Sequence, residues 1–309
     1  MTPLAEVTAF APATVANLGP GFDVLGLALT GPGDTVTARR VAGGGVRLVS
    51  VDGDGGRLPR DGSNTATIAA EGTLRRAGID AGVELSLVKG LPLGSGLGSS
   101  AASAAAAACA VNVLVGSPLR KVDLVAACVD AEAVVSGKHA DNAAAAVLGG
   151  LILVRSVEPL DLIRLPVPDG LTIVVATPKL ELSTRAARAV LPESIPLRAL
   201  VANAANIAAF VAACHSGDLG LLARSAHDAV VTPARARLIP GCEQVFSAAL
   251  DAGALGVSIS GAGPSVFAWC RSERSGAEVG AAMVAAFALV GLPAEPLVCP
   301  ADGPGARRL

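Results

Sequence analysis

Between residues 92 and 102 the chain runs Pro92, Leu93, Gly94, Ser95, Gly96, Leu97, Gly98, Ser99, Ser100, Ala101, Ala102. Alternating glycines free the backbone to take positive φ angles and to lie close to a ligand. Where such a loop opens a helix, bare N–H groups and the helix dipole both favour an anion. Ser99 and Ser100 add hydroxyls suited to a phosphate or to Mg²⁺. This is the donor set a nucleotide triphosphate requires. The loop is not of the Walker A type, because it lacks the Gly-Lys-Ser/Thr ending, and its glycine spacing is not Gly-x-Gly-x-x-Gly. None of its serines sits in a Gly-x-Ser-x-Gly elbow, which sets a serine hydrolase aside.

Two further places carry candidate chemistry. Asn17, Gly19, Gly21 and Asp23 share one turn-rich stretch. Asp23 offers a charged acceptor to an amine, and Asn17 offers both a donor and an acceptor. Glu132 lies in a mostly apolar segment. A carboxylate there is costly unless it is paired or bound to metal. Mg²⁺ takes one or two carboxylates together with phosphate oxygens and water.

These groups must be positioned by a mixture of strands and helices. Glu6–Ala11, Asp23–Leu29, Thr35–Val41 and Val46–Val51 are β-prone segments parted by Gly and Asp clusters. Ser63 or Asn64 caps a helix over 65–77 that Gly78 closes. Val83–Val88 alternates as a half-buried strand, the glycine-serine loop follows, and alanine's helix propensity makes 101–115 a helix. Another helix is expected over 119–135, with buried strands at Gly149–Val154 and Leu171–Thr177. Four prolines at 159, 166, 168 and 178 mark a domain boundary. Beyond it the pattern predicts helices over 184–191, 197–215, 218–229, 242–252 and 275–290, with strands at 256–260, 265–270 and 294–298. The tail after Pro300 reads as loose. Strands and helices do not alternate regularly, so the class is α+β.

Bulk properties narrow the partners. Formal net charge is −2 and only 16% of residues are charged, so no basic face for nucleic acid is expected. The longest small-apolar stretch, Ala101–Val115, falls short of the ~20 residues that span a bilayer. The first residues lack the basic region and apolar core of a signal peptide. Six widely spaced cysteines, with no Cys-x-x-Cys, read as buried thiols in a reducing compartment. The expectation is a soluble, cytoplasmic protein with no membrane or nucleic-acid partner.

The pattern Pro-x-x-x-Gly-Leu-Gly-Ser-Ser-Ala over 92–101 resembles the phosphate-binding motif of the GHMP small-molecule kinases. Residues 11–26 resemble the first motif of that family, in the form carried by members that act on L-homoserine; the Arg-containing form of galactokinases is missing. Ser260-Gly-Ala-Gly-Pro-Ser265 resembles the third motif, a turn beside the phosphate loop.

The resemblance implies two domains, 1–165 like ribosomal protein S5 domain 2 and 166–309 ferredoxin-like, with ATP bound between them. It implies transfer of the γ-phosphoryl of ATP to the hydroxyl of L-homoserine, giving O-phospho-L-homoserine on the route to threonine. It implies that loop 92–102 holds the phosphates, that Glu132 with Ser99 or Ser100 holds Mg²⁺, and that Asn64 helps hold the adenosine. Asn17, Asp23, His139, Arg188 and Arg235 would hold the amino acid, a planar carboxylate suiting two guanidinium groups. Arg185 and Arg237 read as surface residues. Thr184 falls near the phosphoryl acceptor, and Asp141 with Asn142 resembles the Asp-Asn pair of mevalonate kinases, which leaves a general base open. Family members are often homodimers. Another GHMP kinase, such as one for mevalonate, or a non-catalytic ligand sensor on the same fold are the alternatives. Asp23 argues for a cationic substrate group, and the retained Glu132 and loop serines argue against the sensor.

Overall fold

A computed structural model describes residues 4–135 and 137–309. The chain begins with β1 (Glu6–Ala16), β2 (Leu25–Val41), β3 (Gly45–Asp52), α1 (Thr65–Ala77), β4 (Gly82–Val88), α2 (Ser99–Leu114), α3 (Lys121–Val135), α4 (Asp141–Leu148), β5 (Leu151–Val157) and β6 (Leu160–Leu165). It continues with β7 (Thr172–Pro178), α5 (Thr184–Ala189), α6 (Leu197–Ser216), α7 (Leu219–Ser225), α8 (Val231–Ala236), α9 (Cys242–Asp251), β8 (Gly256–Ile259), β9 (Val266–Cys270), α10 (Glu273–Leu289), β10 (Ala294–Pro300) and β11 (Arg307–Arg308).

Two sheets result. The first runs β11-β1-β2-β4-β3, with β5 on the near half of β2 and β6 on β5. Its pairs are antiparallel except β3 with β4. The second runs β10-β7-β9-β8 and is antiparallel throughout. Helices α1, α2 and α4 cover the first sheet, α3 packs on those three, and α2 is the buried spine. Ala101, Ala102, Ala104 to Ala108 and Ala110 are all fully buried in it. Their methyl groups let neighbouring backbones come close, while alanine's propensity keeps the helix without help from side-chain pairs. Asn64 caps α1, its Oδ1 accepting from Ala66 N at 3.0 Å, and Gly78 ends the helix in the left-handed region as expected.

Two expectations changed. The segments Asp23–Leu29 and Thr35–Val41, expected as separate strands, form one, β2. The glycines between them act as a bend rather than a turn. Gly33 lies against the Ala11 carbonyl and the Phe10 ring, where a Cβ would approach to 2.2 and 2.4 Å, and β1 shifts register at the same level, between Pro12 and Thr14. Asp23 itself stands outside the strand, in a turn with φ +58°.

The tail is not loose. Gly303 N donates to Ala28 O at 3.1 Å, Ala306 N to Ala146 O at 2.8 Å and Leu309 N to Thr8 O at 2.9 Å. Gly303 and Gly305 pass so close to Leu29 and Val147 that a Cβ would meet backbone at 2.4 Å. A run of Gly, Pro and Asp reads as loose, yet glycine is what lets it thread this gap. Helix α6, expected over 197–215, is twenty residues long, little buried and, by length and composition, the one helix among the described residues fit to cross a membrane. Its Asn203 and Asn206 side chains bond Asp228 Oδ1 and His227 O.

Deleting residues 303–309 removes the backbone bonds that tie the tail to β1, β2 and α4. The expected loss is about 2–5 kcal/mol of unfolding free energy, measured by urea denaturation.

Candidate functional site

The glycine-serine loop follows β4 and opens α2. Gly98 is the N-cap, at φ +65°, and makes no side-chain cap. The first N–H groups of α2 are therefore left to whatever enters the cleft. Two neighbours fix the loop. A Cβ on Gly98 would stand 2.0 Å from Thr14 Oγ1 and 2.8 Å from Asn142 Oδ1, and one on Gly96 would stand 2.5 Å from Ser260 O. The contacts that fill those spaces are hydrogen bonds. Thr14 N donates to Leu97 O at 3.0 Å and Thr14 Oγ1 to Asn142 Oδ1 at 2.7 Å. Ser260 Oγ donates to Gly96 O at 2.7 Å, and Ser265 N to Ser95 O at 3.1 Å. The three motif segments thus meet at one loop.

Beneath the loop lies a buried charge pair that the motifs do not contain. Lys89 Nζ bonds Asp34 Oδ2, and it also donates to Ser99 O and Ser103 Oγ, both at 2.9 Å. Asp34 accepts further from Gly90 N at 3.0 Å and Ser103 Oγ at 2.7 Å. Burial pulls the Lys89 ammonium below its usual range, and the charge of Asp34 opposes that shift. Removing either partner would strand a buried charge.

The loop faces a cavity of about 540 Å³. Leu93, Gly94, Ser95, Gly96, Gly98, Ser99 and Ser100 line it. Leu97, Ala101 and Ala102 instead pack into the core, and Pro92 is not among the lining residues. Asn64 reaches the wall, but its Nδ2 bonds Pro59 O at 2.8 Å while its Oδ1 caps α1. Glu132, from buried α3, opens into the same space. Ser99 Oγ is buried there with no hydrogen-bond partner among the described residues. A serine hydroxyl and a carboxylate sharing one pocket are the oxygen ligands Mg²⁺ accepts.

The same cavity is also lined by Asn17, Asp23, His139, Asp141, Arg188 and Arg235. Asn17 and Asp23 are non-glycine residues with φ of +71° and +58°, strain that tends to mark a working turn. Asn17 Nδ2 donates to Gly261 O at 2.9 Å, and its Oδ1 accepts from Asp23 N at 3.2 Å. Arg188 grips the Asp23 carboxylate with both terminal nitrogens, at 3.1 and 2.7 Å. Arg235, almost fully buried, donates to Ala187 O at 3.1 Å and Gly261 O at 2.8 Å. Burial, then the charge of Arg188, brings its guanidinium down to about 10. Asp141 accepts from Asn142 N at 2.9 Å and pairs with His139 Nδ1 at 3.1 Å. Burial lowers the His139 imidazolium, but Asp141's hydrogen bond and charge, aided by Glu132 and Asp23, outweigh it and the net shift is upward. Thr184, the first residue of α5, and Asn142 complete the wall. Arg185 also lines the cavity from an exposed position, whereas Arg237 is exposed and outside it.

Sequence reasoning missed Thr14, Asp34, Lys89, Ser103 and Arg185. Lys89 had a signal: it is the lysine immediately before the Gly90 that leads into the loop. Asp34 had none, because the bend around it read as a turn.

A helix start without a side-chain cap, lining one cavity with a carboxylate-and-guanidinium cluster on two α+β lobes, is the arrangement of a GHMP-type small-molecule kinase. The model of the GHMP kinases N-terminal domain matches residues 64–150, and that of the GHMP kinases C-terminal region matches residues 210–289. A homoserine kinase of Arabidopsis thaliana is 49% identical over 93% of this chain and 80% of its own length. One from Chlorobaculum tepidum is 46% identical over 97% of each chain. The crystal structure of homoserine kinase from Cytophaga hutchinsonii superposes with a TM-score of 0.96 at 43% identity, covering 100% of this chain and 99% of that one. The chain belongs to the homoserine kinase family of GHMP kinases.

Two outcomes follow from this geometry. Gly98→Ala is expected to cost about 1–3 kcal/mol of stability in denaturant melts and to weaken binding of a non-hydrolysable ATP analogue about tenfold or more in calorimetric titration. The His139 ring should titrate above 6.5 in a pH series of NMR spectra, and Asp141→Asn should lower that midpoint. With the folded midpoint raised, the charged pair stabilises the protein fully below about pH 6.5 and fades as pH climbs through the folded value.

Proposed function

We propose that the protein transfers the γ-phosphoryl group of ATP to the side-chain hydroxyl of L-homoserine, yielding O-phospho-L-homoserine and ADP. One observation carries this: a single cavity is lined both by the bare helix start of α2 and by the Asn17, Asp23, Arg188 and Arg235 cluster. Phosphoryl transfer asks for alignment and charge neutralisation more than for covalent help.

In this scheme the amides of residues 94–100 hold the phosphates. The Asp23–Arg188 pair opens to a zwitterion, the ammonium taking Asp23 and the carboxylate taking Arg188 and Arg235. His139 and Asn17 complete the hold on the amino acid, and Thr184 stands near the transferring group. Glu132 with Ser99 or Ser100 would hold Mg²⁺, which would offset charge on the β- and γ-phosphate oxygens. Asp141 is committed to His139 and to the Asn142 amide, which supports a positioning part in the acceptor pocket.

Mevalonate would satisfy the arginines but would offer Asp23 no cation, which supports the amino-acid acceptor. The division at 165/166 is part of the same proposal, as are a cytoplasmic, membrane-free protein and a homodimer. Six buried free thiols support the reducing compartment. Exposed Leu197, Leu200 and Val201 on α6 support the homodimer.

The test is ADP release with Mg-ATP and homoserine, threonine, serine, mevalonate or galactose. Homoserine should turn over well above the rest, with O-phosphohomoserine identified by mass. Preference for mevalonate or galactose, or no turnover of any acceptor, would refute the assignment.

A further inference from the structure

Arg188 and Arg235 carry like charges into one small pocket. Their repulsion contributes to the lowered ionisation of Arg235. Asp23 grips Arg188 with both oxygens, whereas the acceptors of Arg235 are neutral backbone carbonyls. An aromatic face between the two guanidinium groups would offset part of that repulsion.

The ring of Phe22 is in place to do so. The guanidinium carbons of Arg188 and Arg235 both lie over it, 5.4 and 5.1 Å from its centroid. An aromatic face is negative and attracts a cation within about 6 Å. One ring therefore attracts both cations, in addition to the anchors each has. Phe22 is fixed where it stands. The amide of Gly21 donates to Asn17 O at 2.9 Å, that of Leu25 to Gly21 O at 2.9 Å, and that of Asp23 to Asn17 Oδ1 at 3.2 Å. The ring is also free of core duty, since Phe22 belongs to none of the three buried hydrophobic clusters. A large apolar side chain half-exposed among charges has its role in those charges.

We infer that Phe22 is a positioning residue for the acceptor's carboxylate: its ring holds Arg188 and Arg235 together, so that one carboxylate meets both. It is not among the residues that line the cavity. The inference rests on the kinase assignment above for the identity of the acceptor.

Steady-state kinetics of Phe22→Leu and Phe22→Met test it. Both keep apolar bulk and remove the aromatic face. The KM for homoserine should rise about tenfold, while kcat and the KM for ATP stay within about twofold. Phe22→Tyr, which keeps the face, should restore the homoserine KM. A homoserine KM unchanged in both aliphatic variants would overturn the inference. So would an equal rise in both KM values, or a tyrosine variant no better than leucine. The wild-type enzyme run alongside separates the two claims. A wild type that ignores homoserine refutes the kinase assignment, whereas an active wild type with an indifferent leucine variant refutes only the part given to Phe22.

Discussion

A helix start that offers its N–H groups to a ligand cannot also be satisfied by the protein. That constraint organises the first lobe. Gly98 caps α2 without a side chain, so the donors point outward by design of the backbone. The rest of the helix must then be held by other means. Alanine methyl groups bury it on every side, and Lys89 takes the Ser99 carbonyl from below. Thr14 and Ser260 pin the loop from the flanks. Each of these contacts keeps the donors aimed without occupying them, which is the preorganisation that makes anion binding cheap in entropy.

The same logic sets the fate of the charges. Lys89 and Asp34 are both inside the protein, and neither could stay charged there alone. Their pairing puts a hydrogen-bonded brace under the first turn of α2, with Ser103 closing the network. The acceptor end is handled differently. Asp23 and Arg188 satisfy each other only at the wall of an open cavity, and both stay about a third exposed there. One pair is sealed in the interior and the other faces the cavity.

Local signals were legible in the sequence where chemistry and conformation coincide. The loop glycines at 94, 96 and 98 announced left-handed backbone, and all three have it. Ser63 or Asn64 and Gly78 announced the two ends of α1, and Asn64 proves to be the cap. The strand-to-helix passage into α2 was plain because β alternation gave way to alanine. What was not legible depends on distance in the chain. Asp34 matters because of Lys89, 55 positions away, and its surroundings read as a turn because glycine and proline bend strands as readily as they end them. Short α4 and α8 escaped notice because six to eight residues hold too little periodicity, although α4 carries Asp141 and Asn142 and α8 carries Arg235. The tail was misjudged for the opposite reason: its composition suits a linker, and only the crevice between β2 and α4 reveals why glycine is needed there.

That tail shapes how the chain must be made. β11 closes the β1 side of the first sheet, and its partners on β1 are Ala9 and Phe10. Synthesis delivers the two halves of this pairing at opposite times, roughly 300 residues apart, or tens of seconds at ~5–20 residues per second. Until β11 emerges, the nascent first lobe presents an unpaired strand to its neighbours on the ribosome. The short strand thus acts as a late seal on that edge of the first sheet.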